Sequence, residues 1–149
     1  MLLCPEPNSI ELLLVQVCKL HYARAHALLA QIGLHRGQPA LLRALWEEDG
    51  LTHSELAERL QVQPATITRM IERMERAGFL ERRPDPQDRR LSRVVLSDLG
   101  RQVKQDVDCI LARMEAAVLR GFTEAERAEF ARYLARVRDN LMAETNQEM

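Results

Sequence analysis

A chain of 149 residues is the length of one domain and buries roughly two-thirds of the surface its unfolded form exposes, enough core to fold without staples. With 46% hydrophobic and 29% charged residues and only six Gly and six Pro, it is neither disordered nor collagen-like nor low in complexity. The net charge of −1 conceals an asymmetry: residues 64–96 hold eight Arg against five Asp or Glu, a local +3, and the rest carries −4. A basic module in an acidic frame suits a nucleic-acid partner, but charge clusters are most often solvated faces, so the pattern inside the module has to decide.

The aromatic content of 4%, with Leu, Ala, Arg and Glu dominant, predicts a mostly helical chain. Cys4, Cys18 and Cys109 have neither the number of a disulfide framework nor CxxC spacing, so a reducing cytoplasm is the expected setting. Residues 1–7 lack a basic leader, and no run of 18 apolar residues offers a membrane span.

From 10 to 32 the sequence predicts a helix in which Leu12, Leu13, Leu14, Val15, Val17 and Leu20, then Leu28 and Leu29, make the first half apolar nearly all round. Such a helix needs cover on several sides. Gly33 stops it, Gly37 and Pro39 open a short helix through Leu41, Leu42, Leu45 and Trp46, and Gly50 ends that one. Thr52 with Glu55 forms a capping box, each side chain satisfying an orphan backbone donor, and opens a two-turn helix carrying Leu56, Ala57 and Leu60.

After a break at 61–63, Pro64 suits the first position of the next helix. Its apolar face is Ile67, Met70, Ile71, Met74 and Ala77; its outer face is Ala65, Thr66, Thr68, Arg69, Glu72, Arg73 and Arg76. Gly78 and Phe79 close it. Extended runs at 80–83 and 93–96 flank a polar tip at 84–90, predicting a hairpin with an arginine-rich end. Ser97 caps a long helix striped by Leu99, Val103, Val107, Ile110, Leu111, Met114 and Val118, which Gly121 stops. Thr123 with Glu126 is a second capping box, starting a helix lined by Phe130, Leu134, Val137 and Leu141 before a frayed tail from 144. There is no internal repeat and no long linker.

This order is that of a winged helix-turn-helix: mainly α, with a small β-hairpin wing and long flanking helices. A helix enters the major groove by its N-terminal end, so residues there must be short or able to donate to bases, while the opposite face stays apolar. Thr66, Thr68 and Arg69 meet that demand, and Arg69 can pair bidentately with guanine. Arg73 and Arg76 lie further back, where phosphates run. At the tip of the hairpin, Arg89 and Arg90 can reach a minor groove, with Asp88 holding one guanidinium in position. Taken singly, each feature is equally a solvated helix face or a surface turn.

The runs Leu51-Thr52-His53-Ser54-Glu55-Leu56-Ala57-Glu58-Arg59-Leu60, Pro64-Ala65-Thr66-Ile67-Thr68-Arg69, Arg76-Ala77-Gly78-Phe79-Leu80-Glu81-Arg82-Arg83 and Asp85-Pro86-Gln87-Asp88-Arg89-Arg90 resemble the MarR family of bacterial transcriptional regulators. The resemblance spans the chain, with its wing signature on Asp88 and Arg90 and a serine and glycine at Ser97 and Gly100. It implies three parts of one compact domain: an N-terminal dimerisation helix at 1–36, the DNA-binding module at 37–97 and C-terminal dimerisation helices at 98–149. It implies a homodimer on double-stranded, pseudo-palindromic DNA with half-sites roughly 10 bp apart. The expected DNA-binding residues are Gln63, Ala65, Thr66, Thr68, Arg69, Arg73, Arg76, Asp88, Arg89 and Arg90. Gln63 departs from the serine common in the family; it is a poorer N-cap but can read adenine.

The resemblance also implies a small-molecule, oxidant or metal signal. Cys18 with Tyr22 one turn on resembles the organic-hydroperoxide-sensing branch, with Lys19, His21 or His26 able to favour a thiolate; the alternative is an inert packing cysteine. Tyr22, His26, His35 and Trp46 are polar-tipped residues that suit either a ligand crevice or core packing. Cys18, His21 and His26 lack a matching ligand in the fifth helix to complete a tetrahedron, so no metal or other cofactor is expected. No nucleophile with a base, phosphate-cradling loop or paired carboxylates points to an enzyme. The expected function is a cytoplasmic, ligand- or redox-responsive dimeric repressor; the alternative is a winged-helix interaction subunit that does not bind DNA.

Overall fold

A computed structural model of the chain describes residues 9–35 and 37–147, with side chains to residue 144. The expectations for residues 1–7, including Cys4, and for the last two residues lie outside it. The elements are α1 (Ile10–Ala30), α2 (Gln38–Glu47), β1 (Leu51–Thr52), α3 (His53–Leu60), α4 (Pro64–Arg76), β2 (Leu80–Pro84), β3 (Ser92–Leu96), α5 (Asp98–Val118) and α6 (Glu124–Gln147). They form two compact units, one ending at Leu111 and the other starting at Ala112, so the boundary falls inside α5.

Local chemistry sets where the helices begin. At α1 the Ser9 hydroxyl accepts the Leu12 N–H at 3.3 Å. At α3 the Thr52 N–H donates to Glu55 Oε2 at 2.7 Å and the Glu55 N–H returns to Thr52 Oγ1 at 3.3 Å, the predicted capping box. The same exchange between Thr123 and Glu126 opens α6. Ser97 Oγ accepts the Gly100 N–H at 3.1 Å and so caps α5. Between α3 and α4 the chain turns through Gln61 at φ 51, a left-handed conformation on a residue with a side chain.

The core of the first unit gathers Leu41, Leu42 and Leu45 of α2, Leu56 of α3, Ile67, Ile71 and Met74 of α4, Leu80 and Val94 of the sheet, and Val103 and Val107 of α5. Each side chain fully removed from water contributes about 1.5–3 kcal/mol, so this cluster fixes α4 by its inner face and leaves the other face free. The hairpin proves to be part of a three-stranded antiparallel sheet, ordered β1-β3-β2, with Leu51 opposite Val94 and Leu80 opposite Leu96. β1 was not foreseen because two residues cannot display an alternation.

Three expectations need correction. Ala77, placed on the apolar face of α4, is exposed, because the helix ends at Arg76 and the chain is already turning away. The buried seam of α5 is Val103, Val107, Ile110 and Met114; Leu99, Leu111 and Val118 are exposed. The first turn of α5 approaches the wing through Gly100, where a Cβ would lie 2.2 Å from the Phe79 carbonyl oxygen; this rotates Leu99 outward. Residues 144–147 continue α6 instead of fraying. Along α1 the apolar excess is real but uncovered: Leu28 is buried, whereas Ile10, Leu13, Val15, Val17 and Leu20 are exposed. In the second unit the Phe122 and Phe130 rings meet edge to face at 5.8 Å, while Leu134, Leu141 and Met142 are exposed.

Candidate nucleic-acid interface

α4 presents its N-terminal turn uncapped by any side chain. Gln63 occupies the N-cap position without a side-chain capping bond, and Pro64, which has no N–H to leave unsatisfied, follows it. The carbonyl of Gln63 accepts the Thr66 and Ile67 N–H groups at 2.9 and 3.1 Å, so the Gln63 side chain is left to the exposed end of the helix. Ala65, Thr66, Arg69, Arg73 and Arg76 are exposed on the outer face. Thr68 differs from the others: it is half-buried and its hydroxyl donates to the Pro64 carbonyl at 3.0 Å. Thr66, Arg69, Met70 and Arg73 line an open groove of about 570 Å³ together with Leu60 and Val62.

The eight arginines of the module divide sharply. Arg82 is ion-paired to Glu75, Arg83 to Glu81 and Arg93 to Asp85, and the Arg76 Nε–H donates to the Glu72 carbonyl at 3.4 Å. Among the described residues, Arg69, Arg73, Arg89 and Arg90 have no hydrogen bond or ion pair for their guanidinium groups. These four are on the outer face of α4 and at the wing tip.

The wing tip is shaped by carboxylates. Asp85 Oδ1 accepts the Gln87 and Asp88 N–H groups at 2.7 and 2.9 Å, the Arg93 Nε–H donates to Oδ2, and the Asp85 N–H meets the Leu91 carbonyl at 2.9 Å. The Asp88 and Gln87 amides and the Arg93 guanidinium hold the Asp85 carboxyl below the usual carboxylate range. Asp88 does not take the role expected of it: its Oδ1 accepts the Arg90 backbone N–H at 3.0 Å, and the carboxylate of this loop that holds a guanidinium is Asp85, on Arg93. Geometry explains the exchange, since a short side chain at the tip reaches the adjacent backbone before any long one. The Asx-turn signature of Asp85-Pro86-Gln87 was the available clue to Asp85.

The residues proposed for signal detection are less gathered. Cys18 and Tyr22 are exposed on α1, and the Tyr22 and His26 rings lie 4.5 Å apart at 52°. Trp46 instead joins α2 to α5: its indole N–H donates to the Gly100 carbonyl at 2.8 Å, and Lys104 Nζ sits 5.9 Å from its ring centroid. The His35 N–H donates to the Gln38 side chain at 2.8 Å. Among the described residues no three His, Cys, Asp or Glu side chains form a metal-holding group, and no helix is long and apolar enough to cross a membrane.

A helix-turn-helix with an open outer face, followed by a basic wing on a three-stranded sheet, defines the class of winged helix-turn-helix proteins. A family model described as MarR family matches residues 34–92. The HTH-type transcriptional regulator TtmR of Methylorubrum extorquens strain PA1 is 34% identical over 145 residues, covering 93% of this chain and 72% of its own length. The organic hydroperoxide resistance transcriptional regulator of Bacillus subtilis strain 168 is 30% identical over 97 residues, 60% of this chain and 66% of its own. Among solved structures, the PcaV transcriptional regulator of Streptomyces coelicolor superposes with a TM-score of 0.77 at 29% identity, over 91% of this chain and 99% of that one. The chain belongs to the MarR family: it is a DNA-binding transcription regulator and not an enzyme.

Proposed function

We propose that the protein is a homodimeric repressor that reads a pseudo-palindromic operator through α4 and the wing and leaves it on a small-molecule or oxidant signal. The observation that carries the DNA contacts is the division among the arginines: the chain neutralises Arg82, Arg83 and Arg93 internally and leaves Arg69, Arg73, Arg89 and Arg90 for an external anion. Gln63, Ala65, Thr66 and Arg69 at the front of α4 read base edges, Arg73 and Arg76 take phosphates, and Arg89 and Arg90 enter the minor groove. Thr68, with its hydroxyl turned to Pro64, offers its methyl group, and Asp88 shapes the tip.

Dimerisation is supported by the apolar side chains that α1 and α6 leave in water, among them Leu20 at 70% and Leu141 at 59% exposure. For the signal, Cys18 is exposed on α1, and one relative is named for organic hydroperoxide resistance. A Cys18 thiolate would attack the terminal peroxide oxygen, forming the S–O bond of a sulfenic acid as the O–O bond breaks and an alkoxide leaves, which water protonates to the alcohol. Tyr22, His26 and Trp46 are the alternative lining for a small effector; Trp46 would act through its ring, its N–H being engaged by Gly100.

The test is selection of genomic fragments by the purified protein at near-physiological salt, reduced and after organic peroxide. An inverted repeat with half-sites roughly 10 bp apart is expected from the reduced sample and its loss from the oxidised one. Failure to enrich any sequence in either sample favours an interaction subunit without DNA binding. Release by peroxide that persists in Cys18→Ser moves the sensor to another residue.

A further inference from the structure

Asp85 is the one buried residue between Glu81 and Leu91, at 5% exposure, on a loop whose neighbours all face water. A buried carboxylate is tolerated only when donors surround it, and here three do: two backbone N–H groups of its own loop and the Arg93 guanidinium. The loop is closed a second time by the Asp85 N–H on Leu91 and the Leu91 N–H on Asp88, both at 2.9 Å. Arg93 then reaches beyond the wing, its Nη1 donating to the Gly50 carbonyl at 2.8 Å, in the turn that leads into β1 and α3. One guanidinium thus ties the tip of the wing to the helix-turn-helix. Arg89 and Arg90, between these anchors, have no side-chain partner among the described residues, so their aim is set by the backbone that Asp85 folds.

We propose that Asp85 and Arg93 are positioning residues for DNA binding: their ion pair holds the wing tip in register with the helix-turn-helix, so that Arg89 and Arg90 meet the duplex already ordered. The inference rests on the wing arginines binding DNA, as proposed above. An ordered tip spares the complex the entropy of fixing a mobile loop, and that saving is what the pair supplies.

The test is a double-mutant cycle on binding of a fluorescein-labelled mixed-sequence duplex at low salt. Asp85→Asn keeps an acceptor for the loop amides and removes the charge that holds Arg93; Arg93→Met breaks the same pair from the other side. Either is expected to weaken binding about tenfold in the native background and less than about twofold when Arg89→Ala and Arg90→Ala are already present, since groups acting through one another are not additive. Equal losses in both backgrounds show a general loss of structure and overturn the positioning role, as does undiminished binding by both variants. Undiminished binding by the Arg89→Ala, Arg90→Ala protein itself overturns the wing's DNA contact, a separate result.

Discussion

Arg69 and Arg73 stand one helical turn apart on the same open face of α4, yet a groove-reading helix uses them differently. In the proposed complex Arg69, near the N-terminal end, meets base edges, and Arg73, a turn further from it, meets phosphates. Arg69→Ala is therefore expected to cost about 1–3 kcal/mol of operator binding and to relax base preference at one position, whereas Arg73→Ala weakens all sequences alike and lowers the salt slope by about one. Binding isotherms at several salt concentrations check both; unchanged binding in both variants would place the interface elsewhere. These two residues were legible from helical periodicity, because exposure follows from which face carries Ile67, Ile71 and Met74. Asp85 was not, because its partner Arg93 is brought to it only by the pairing of Arg83 with Arg93 and of Pro84 with Ser92.

The helices of the module are held by their first turns as much as by their faces. Thr52→Ala removes one arm of the capping box of α3 and is expected to cost about 1 kcal/mol, lowering the melting temperature by about 2–4 °C. Gly100→Ala is costlier, about 1–3 kcal/mol, since the added Cβ meets the Phe79 carbonyl backbone and displaces the turn of α5 that Trp46 grips. Thermal denaturation followed by circular dichroism measures both. Acid should act on the same features. The Glu55 and Glu126 carboxyls are depressed chiefly by backbone N–H donation from Thr52 and Thr123, and that of Asp85 by its loop amides, Asp88 first. A carboxyl that ionises more readily folded than unfolded stabilises fully above the ordinary range near about 4 and loses that contribution as pH falls through its folded value. The melting temperature is expected to hold from neutrality to about pH 5 and to fall below about 4; a fall beginning near neutrality would point to histidines instead.

At the level of assembly, the two long outer helices leave large apolar side chains exposed to water. Val17 and Leu20 on α1 and Leu134, Val137 and Leu141 on α6 are exposed, while the module that separates these helices in the sequence has a closed core. The proposed homodimer would cover those faces and set two recognition helices on successive major grooves. Leu134→Glu is expected to convert the dimer to monomer in sedimentation equilibrium and to lower operator affinity by at least about tenfold, because one half-site alone then supplies the contacts. A native chain that sediments as a monomer would remove the basis for an inverted-repeat operator.

Patterns of short range were readable in advance: the two capping boxes, the glycine stops, the period of α4 and the basic hairpin each need only neighbours a few residues away. Contacts between distant segments were not. The third strand at Leu51–Thr52, the bond from Trp46 to Gly100 and the Asp85–Arg93–Gly50 tie join residues that lie far apart in the chain or across the hairpin, and nothing local selects one partner over another. The same physical difference explains Asp88 and Arg90: the motif was visible, but its carboxylate went to the nearest amide, while the carboxylate that the fold buried had to find the guanidinium that the sheet register delivered.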